Sequence, residues 1–246
     1  MNNTRPTVHL TGDAPPCSPE DRISALRRIA DAGPIEVDEY GLGGVVAKAE
    51  RYFADKLGKE AAIICPTGTL ANHLAIRAHC RNRRAQRVVV QAESHVHRDS
   101  GGALPQLSSF AEIALGHGTA TFKATELKGA LDRLESEKVT SSIGCVSLES
   151  PVRRFANQCI PPAELDQILA LCRDHGLPVH LDGARTWLDC HCKGIPVATH
   201  AARFDTVYVS LYKYFGAPSV AALPGVTATG PEITRYRCKQ AEGREH

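Results

Sequence analysis

The sequence predicts an α/β protein with three layers, in which a mostly parallel sheet is flanked by helices. Short, nearly continuous apolar segments recur along the chain, and helical segments with one apolar face separate them. The chain also has the size for this fold, because 246 residues with 43% hydrophobic residues can build one large domain with a real core.

The first part of the chain, residues 1–44, is expected to be an N-terminal arm with an extended piece at 8–11 and a helix over 19–32. Ser18 stands before Pro19 and is predicted to cap that helix, with Asp21 in its first turn. A second helix is predicted over residues 45–57, which end at Gly58.

The large domain is expected to span residues 45–234, where strands and helices alternate. Its predicted strands are residues 61–65, 87–91, 111–115, 143–148, 178–182, 206–211 and 220–223, and its further predicted helices are residues 69–81, 125–137 and 162–175. Ligands of such sheets bind beyond the carboxyl ends of the strands. Polar residues that follow these strands are therefore the candidates for a functional site.

The charge pattern argues against nucleic acid or membrane partners, because the net charge is +2 and basic and acidic residues are interspersed. No apolar run reaches the length that crosses a membrane, and no signal peptide is expected. The odd number of cysteines, 9, favours reduced thiols and a cytoplasmic location.

Asp182 and Lys213 are the strongest candidates for chemistry, since each follows an apolar segment. A carboxylate at the end of an apolar strand needs a cation or another polar partner. Asp182 could face a protonated pyridine nitrogen, cap a helix that starts near Ala184, or pair with Arg185. Lys213 lies between apolar and aromatic neighbours, where an amine can serve as a nucleophile.

Two further segments complete a possible cofactor site. Thr67, Gly68 and Thr69 join a strand to a helix, where small residues and a helix N-terminus favour an anion such as phosphate. An ordinary turn with a threonine cap is an equally good reading of that segment alone. His95 follows the strand at 87–91 and could stack on a flat ring.

Two other patterns are rejected as sites. Residues 41–44 contain three glycines, but no strand precedes them and the dinucleotide-binding spacing is absent. Cys190, His191 and Cys192 lack a second ligand pair at zinc-site spacing, so no metal site is predicted.

Taken in order, residues 66–72, Ser94-His95, residues 180–185 and Lys213 resemble the motifs of the threonine aldolases. These aldolases and β-eliminating lyases have the aspartate-aminotransferase fold type, and the similarity covers nearly the whole chain. The resemblance implies pyridoxal 5'-phosphate as the cofactor. The cofactor-binding residues that it implies are Lys213 at the aldehyde, Asp182 at the pyridine nitrogen, Arg185 near the phenolic oxygen, His95 on the ring, and Thr67, Gly68 and Thr69 at the phosphate.

The activity implied by the resemblance is cleavage of threonine or a related β-hydroxy-α-amino acid to glycine and an aldehyde. Lys213, His95 and Asp182 would be the catalytic residues, with His95 as the base for the β-hydroxyl proton. The family also implies a homodimer or homotetramer. Other chemistry on the same cofactor (β-elimination, transamination or racemisation) and a truncated, non-catalytic protein stay open as alternatives.

The chain departs from the family pattern at several positions. Asp13 lies in a segment where the family often carries a serine that contacts substrate, and Tyr212 stands where a serine commonly precedes the lysine. Glu149 is followed by Ser150-Pro151-Val152-Arg153-Arg154 rather than by the Asn-Thr of the better-known members, which suggests altered specificity. Residues 235–246 are expected to be the start of a missing or truncated C-terminal domain, which in the family supplies an arginine for the substrate carboxylate.

Overall fold

The computed structural model describes residues 13, 17–39, 41–139 and 141–225. The strands in these ranges are β1 (Ala61–Cys65), β2 (Arg87–Gln91), β3 (Ala111–Leu115), β4 (Ile143–Glu149), β5 (Val179–Asp182), β6 (Thr206–Ser210) and β7 (Ala221–Gly225). Every residue of β4, β5 and β6 is buried, as the apolar segments predict for the centre of a sheet.

Helices connect most of these strands. They are α1 (Pro19–Asp31), α2 (Gly44–Leu57), α3 (Gly68–Asn82), α4 (His95–Arg98), α5 (Ala103–Ser108), α6 (Ala124–Ser136), α7 (Pro162–Asp174), α8 (Thr186–Lys193), α9 (Val197–Ala201) and α10 (Leu211–Tyr214), with a short 3-10 helix at Arg153–Phe155. Ser18 caps α1 as predicted, because its side chain accepts a hydrogen bond from the Asp21 amide. No helix in the described ranges is long and apolar enough to cross a membrane.

The seven strands form one sheet in the order β1-β7-β6-β5-β4-β2-β3. Neighbouring strands from β6 to β3 are parallel, whereas β7 is antiparallel to both β1 and β6. The prediction of a mostly parallel sheet is confirmed. The antiparallel strand leaves β1 and β6 pointing the same way, so both end at the edge where β5, β4 and β2 end.

Helices cover both faces of the sheet, which confirms the three-layer prediction. On one face, α2, α6 and α7 pack on the strands through residues such as Phe53, Leu127 and Ile168. On the other face, α3 packs through Ala75 and Ile76. Alternate residues of the strands therefore face different helices, and the even-numbered residues of β5 and β6 share the face that α3 covers.

Strand register aligns several polar side chains at the carboxyl edge. Glu149 pairs with Asp182 across β4 and β5, and Asp182 pairs with Tyr208 across β5 and β6. One layer deeper, His180 pairs with Thr206. The sheet therefore places polar groups from three neighbouring strands side by side, where a ligand would bind.

The predicted strands and helices agree with the structure to within two residues, but the surroundings of Lys213 differ from the prediction. β6 ends at Ser210 and α10 begins at Leu211, so Lys213 lies on a short helix rather than directly at a strand end. The extended piece predicted at 8–11 and residues 235–246 lie outside the described residues.

Candidate active site

A cavity of about 500 Å³ opens at the carboxyl edge of the sheet. This volume lies in the range of about 300–1,000 Å³ that is typical of small-molecule sites. All seven candidate site residues line it, and they come from the ends of four strands: Thr67, Gly68, Thr69, His95, Asp182, Arg185 and Lys213. The fold therefore brings to one place residues that lie far apart in the sequence.

The N-terminus of α3 forms one end of this cavity. Thr67 precedes the helix with extended backbone, and its hydroxyl accepts a hydrogen bond from the Leu70 amide at 3.1 Å. Gly68 and Thr69 lie in the first turn, where amide N–H groups have no partner inside the helix. These amides and the helix dipole suit a bound anion.

The backbone at position 68 leaves no room for a side chain. A Cβ at position 68 would lie 2.1 Å from Oη and 2.4 Å from Cζ of Tyr208. Tyr208 is only 3% exposed, so its ring has little freedom to move away. Glycine thus allows the end of α3 to approach β6 and the cavity closely.

The Asp182 carboxylate is 2% exposed and accepts two hydrogen bonds. Asn72 Nδ2 donates to Oδ2 at 2.6 Å, and the Ala184 amide donates to Oδ1 at 3.2 Å. The second bond lies within the turn after β5. The alternative that Asp182 caps a helix is wrong, because the helix that follows, α8, begins at Thr186 with Arg185 at its N-cap. Pairing with Arg185, the other alternative, does not occur in the described part of the chain.

Arg185 is held by Asp13 instead. Its Nε and Nη2 donate to the two carboxylate oxygens of Asp13 at 2.7 and 2.9 Å, and Arg185 is 6% exposed. Such two-point pairing fixes the guanidinium in the cavity wall. From the sequence, Asp13 was noted only as part of a segment that departs from the family pattern, and its role as partner of Arg185 was missed.

Lys213 is buried, with 8% of its surface exposed, and lines the same cavity as Asp182. Its Nζ lies 5.2 Å from the centre of the Tyr212 ring, within reach of a cation–π contact. Tyr212 itself lines the cavity, so the residue that departs from the family pattern contacts the candidate lysine.

His95 begins α4, a helix too short to be recognised from periodicity. Ser94 caps this helix, and His95 Nδ1 lies 4.0 Å from Asp182 Oδ2. Two-thirds of the His95 side chain is buried (33% exposed), and Nδ1 has no hydrogen-bond partner in the described residues. The His95 ring therefore lies beside the Asp182 carboxylate. His97 instead pairs with Glu112 and does not line the cavity.

Glu149 is a site residue that the sequence analysis missed. Its side chain is 3% exposed, and it accepts hydrogen bonds from the amides of His95 at 2.5 Å and Arg153 at 3.0 Å. Burial and, next, the charge of Asp182 raise the pKa of Glu149 to about 7. It ends an apolar strand just as Asp182 does, so the same signal could have identified it.

The rim of the cavity carries two arginines joined to one acid. Arg153 Nη2 donates to Asp99 Oδ2 at 2.9 Å, and Arg154 Nη2 donates to Asp99 Oδ1 at 2.6 Å. Asp99 and Arg153 line the cavity, whereas Arg154 does not. Together, these two arginines and the aspartate carry one net positive charge. The arginines follow β4, which is two strands away from β6, the strand that Gly68 approaches.

The rejected metal pattern lies away from the cavity. Cys190 is buried on α8 and Cys192 is exposed, as expected for two residues that face different sides of a helix. Within the described ranges, no three His, Cys, Asp or Glu side chains are grouped as metal ligands would be.

A parallel sheet, a helix end suited to an anion, a buried carboxylate and a buried lysine define a class of α/β proteins that includes threonine aldolases and aminotransferases. A solved structure described as a candidate L-allo-threonine aldolase from Listeria monocytogenes superposes with a TM-score of 0.80 and 28% identity, over 94% of this chain and 61% of that one. An ornithine aminotransferase from Toxoplasma gondii, whose description mentions PLP at its active site, shares the fold at a TM-score of 0.61 and 18% identity, over 87% of this chain and 52% of that one.

The sequence comparison narrows the class to a family. Residues 24–243 match the model of the family described as Beta-eliminating lyase, and the chain belongs to this family. The low specificity L-threonine aldolase of Saccharomyces cerevisiae is 27% identical over 205 residues, which are 83% of this chain and 52% of that protein. The chain thus spans about half the length of this relative.

Proposed function

We propose that this chain binds pyridoxal 5'-phosphate and cleaves threonine or a related β-hydroxy-α-amino acid to glycine and an aldehyde. The observation that carries the proposal is the convergence of Asp182 and Lys213 in one cavity with the N-terminus of α3. The family and its threonine aldolase members support the reaction type. When bound, the cofactor supplies an electron sink for the charge left on the substrate Cα after bond cleavage.

The residues of the cavity fit this cofactor at each of its polar groups. The amides of Gly68 and Thr69 and the hydroxyls of Thr67 and Thr69 would hold the phosphate. Asp182 would accept a hydrogen bond from the ring nitrogen. Lys213 would bind the aldehyde carbon through Nζ, and Arg185, fixed by Asp13, would lie near the phenolic oxygen.

His95 would act on the substrate as well as on the ring face. Because its Nδ1 faces Asp182 at 4.0 Å, Nε2 is the nitrogen left for the substrate hydroxyl. We assign Nε2, directly or through a water molecule, as the acceptor of the β-hydroxyl proton. The Glu149 carboxylate accepts a hydrogen bond from the His95 amide and so fixes the backbone position from which the His95 side chain extends.

The substrate carboxylate needs a cation, and the cavity wall offers Arg153. Arg185 already has both carboxylate oxygens of Asp13, and Lys213 is assigned to the cofactor. Arg153 shares Asp99 with Arg154, so its charge is only partly neutralised. We assign Arg153 to the carboxylate end of the substrate.

A homodimer or homotetramer and a cytoplasmic location belong to the same proposal. The location is supported by the cysteines in the described ranges, all eight of which are free thiols. Size-exclusion chromatography with light scattering tests the assembly, and a monomer would contradict it.

The test of the function uses the 246-residue chain as it stands. With pyridoxal phosphate it should show a visible absorption band that Lys213→Ala removes, and with L-threonine or L-allo-threonine it should form glycine and acetaldehyde in equal amounts. No band under any loading condition would refute the cofactor. Amino-acid turnover without an aldehyde would instead favour elimination, transamination or racemisation.

A further inference from the structure

A continuous chain of hydrogen bonds joins His79, deep in the protein, to Asp182 at the cavity. His79 Nε2 and His180 Nδ1 each lie 2.9 Å from Thr206 Oγ1, and His180 Nε2 lies 2.9 Å from Asn72 Oδ1. Asn72 Nδ2 then reaches Asp182 at 2.6 Å. All five residues are at most 4% exposed, so protein groups rather than bulk water decide how these bonds are arranged.

The carboxylate fixes the direction of every bond in this chain. An ionised carboxylate only accepts, so Asn72 must turn its amide nitrogen to Asp182 and its oxygen to His180. His180 must then carry its proton on Nε2, which leaves Nδ1 to accept from the Thr206 hydroxyl. Because that hydroxyl proton is used, Thr206 can only accept from His79, which must also be protonated on Nε2.

This order requires a neutral His180, whose Nδ1 must accept a hydrogen bond, and the surroundings keep both rings neutral. Burial lowers the pKa of His79 to about 4 and, with a contribution from His79, that of His180 to about 3. Each ring therefore carries one N–H at neutral pH. Neither ring faces the cavity, so neither is available for proton exchange with a substrate.

The hydrogen bonds that run from His79 to Asp182 compensate for the absence of a paired cation beside Asp182 among the described residues. In the described part of the protein, no Lys or Arg side chain pairs with Asp182, and His95 Nδ1 lies 4.0 Å from its Oδ2. Aligned hydrogen-bond dipoles from His79 to Asn72 all point their positive ends toward the carboxylate. In a medium of low polarity such dipoles stabilise a buried charge and restrict its orientation.

We propose that His180, through Asn72, is a positioning residue that holds Asp182 in the orientation that the ring nitrogen of the cofactor requires. The Asp182 carboxylate in turn sets the order of the protons along these hydrogen bonds. The part that concerns the cofactor rests on the proposed function. The proton order is a property of the cofactor-free protein and can be measured without it.

The first experiment records the ring-nitrogen NMR signals of isotope-labelled histidine in the cofactor-free chain. His79 and His180 should both be neutral and protonated on Nε2. Asp182→Asn keeps the shape but removes the charge, so Asn72 can turn its amide over and the Nε2-protonated fraction of His180 should fall. A His180 protonated on Nδ1 or on both nitrogens in the unmodified chain, or no response to Asp182→Asn, would overturn the proposal.

The second experiment compares two substitutions at Thr206, which does not line the cavity. Thr206→Val removes the hydroxyl with little change in shape. It should raise the Kd for pyridoxal phosphate by about tenfold, similar to the loss of metal affinity when the hydrogen-bond partner of a metal-ligating side chain is removed. Thr206→Ser keeps the hydroxyl and should bind the cofactor and give His180 signals as the unmodified chain does. Circular dichroism checks that both variants are folded.

The outcomes separate this proposal from the proposed function. Equal cofactor affinity of folded Thr206→Val and Thr206→Ser would overturn the positioning role. If Thr206→Val does not fold, Asn72→Ser, which shortens the link to His180, takes its place with the same expected loss of affinity. If the unmodified chain binds no pyridoxal phosphate, the proposed function fails, while the tautomer spectra still decide the proton order.

Discussion

Gly68→Ala offers a sharp test of how the cavity is built, because it adds one methyl group at a known distance from Tyr208. The new Cβ would lie 2.1 Å from Tyr208 Oη, whereas real Cβ atoms essentially never come within 3.0 Å of such a neighbour. Either the tyrosine or the first turn of α3 must therefore move by roughly 1 Å, a shift of the kind that overpacking forces on a core.

The structure supplies both the size of the effect and its control. Overpacking of this kind costs about 1–3 kcal/mol, against a gain of about 0.5–1 kcal/mol that alanine normally brings to a helix. We expect Gly68→Ala to lower the free energy of unfolding by about 1–2 kcal/mol. Gly129, inside α6, has nothing within 4 Å of its would-be Cβ, so Gly129→Ala should stabilise the protein by about 0.5–1 kcal/mol.

Two measurements check this prediction. Urea unfolding of the cofactor-free variants gives the stability change, and titration with pyridoxal phosphate gives the affinity change. A distorted α3 end that loses about 1.4 kcal/mol of phosphate binding raises Kd about tenfold, and only Gly68→Ala should show it. Equal stability and equal affinity of the two variants would refute the close approach of α3 to Tyr208.

The remaining predictions concern the cavity wall. The raised pKa of Glu149 means that the folded chain binds this proton more tightly than the unfolded chain, so Glu149 lowers stability as pH rises from about 4.5 to about 7. The unfolding free energy of the cofactor-free chain minus that of Glu149→Gln should therefore fall across this window, and a constant difference in urea titrations would contradict it. Arg153→Gln should raise KM for the amino-acid substrate by about tenfold or more, as expected for a lost charged hydrogen bond. Arg154→Gln, which also removes a partner of Asp99 but lies outside the cavity, should leave KM nearly unchanged, and equal effects of the two arginine variants would refute the assignment.

Most of the longer helices and all of the strands in the described residues could be predicted well, because their signals are local. Buried strands such as β4 and β6 are apolar at nearly every position, and α1 has a serine cap followed by proline. The short helices α4 and α10 are four residues each, which is too short for a helical period to show. Lys213 was therefore predicted to lie at a strand end, although it lies within the short helix α10.

The pairing of strands could not be read from the sequence. An apolar segment at the end of the described chain gives no sign that β7 inserts antiparallel between β1 and β6. The prediction of a mostly parallel sheet was therefore confirmed without its strand order.

The candidate site residues were predictable, but most of their partners were not. Asp182 stood out as an acid in an apolar segment, whereas its hydrogen-bond donor Asn72 is 110 residues away on an amphipathic helix. His180 lies in the same apolar segment and was noted only as part of the motif at residues 180–185, without a role of its own. Its importance depends on the register that sets it beside Thr206.

The central claim is that Lys213 and Asp182 form a pyridoxal phosphate site, and chemical fixation tests it most directly. The chain would be loaded with the cofactor, reduced with borohydride, digested and analysed by mass spectrometry, with Lys59, a partly buried lysine outside the cavity, as the internal comparison. We predict a pyridoxyl group on Lys213 and none on Lys59, with strongly reduced labelling in Asp182→Asn. Labelling spread over several lysines, or absent from Lys213, would contradict the claim.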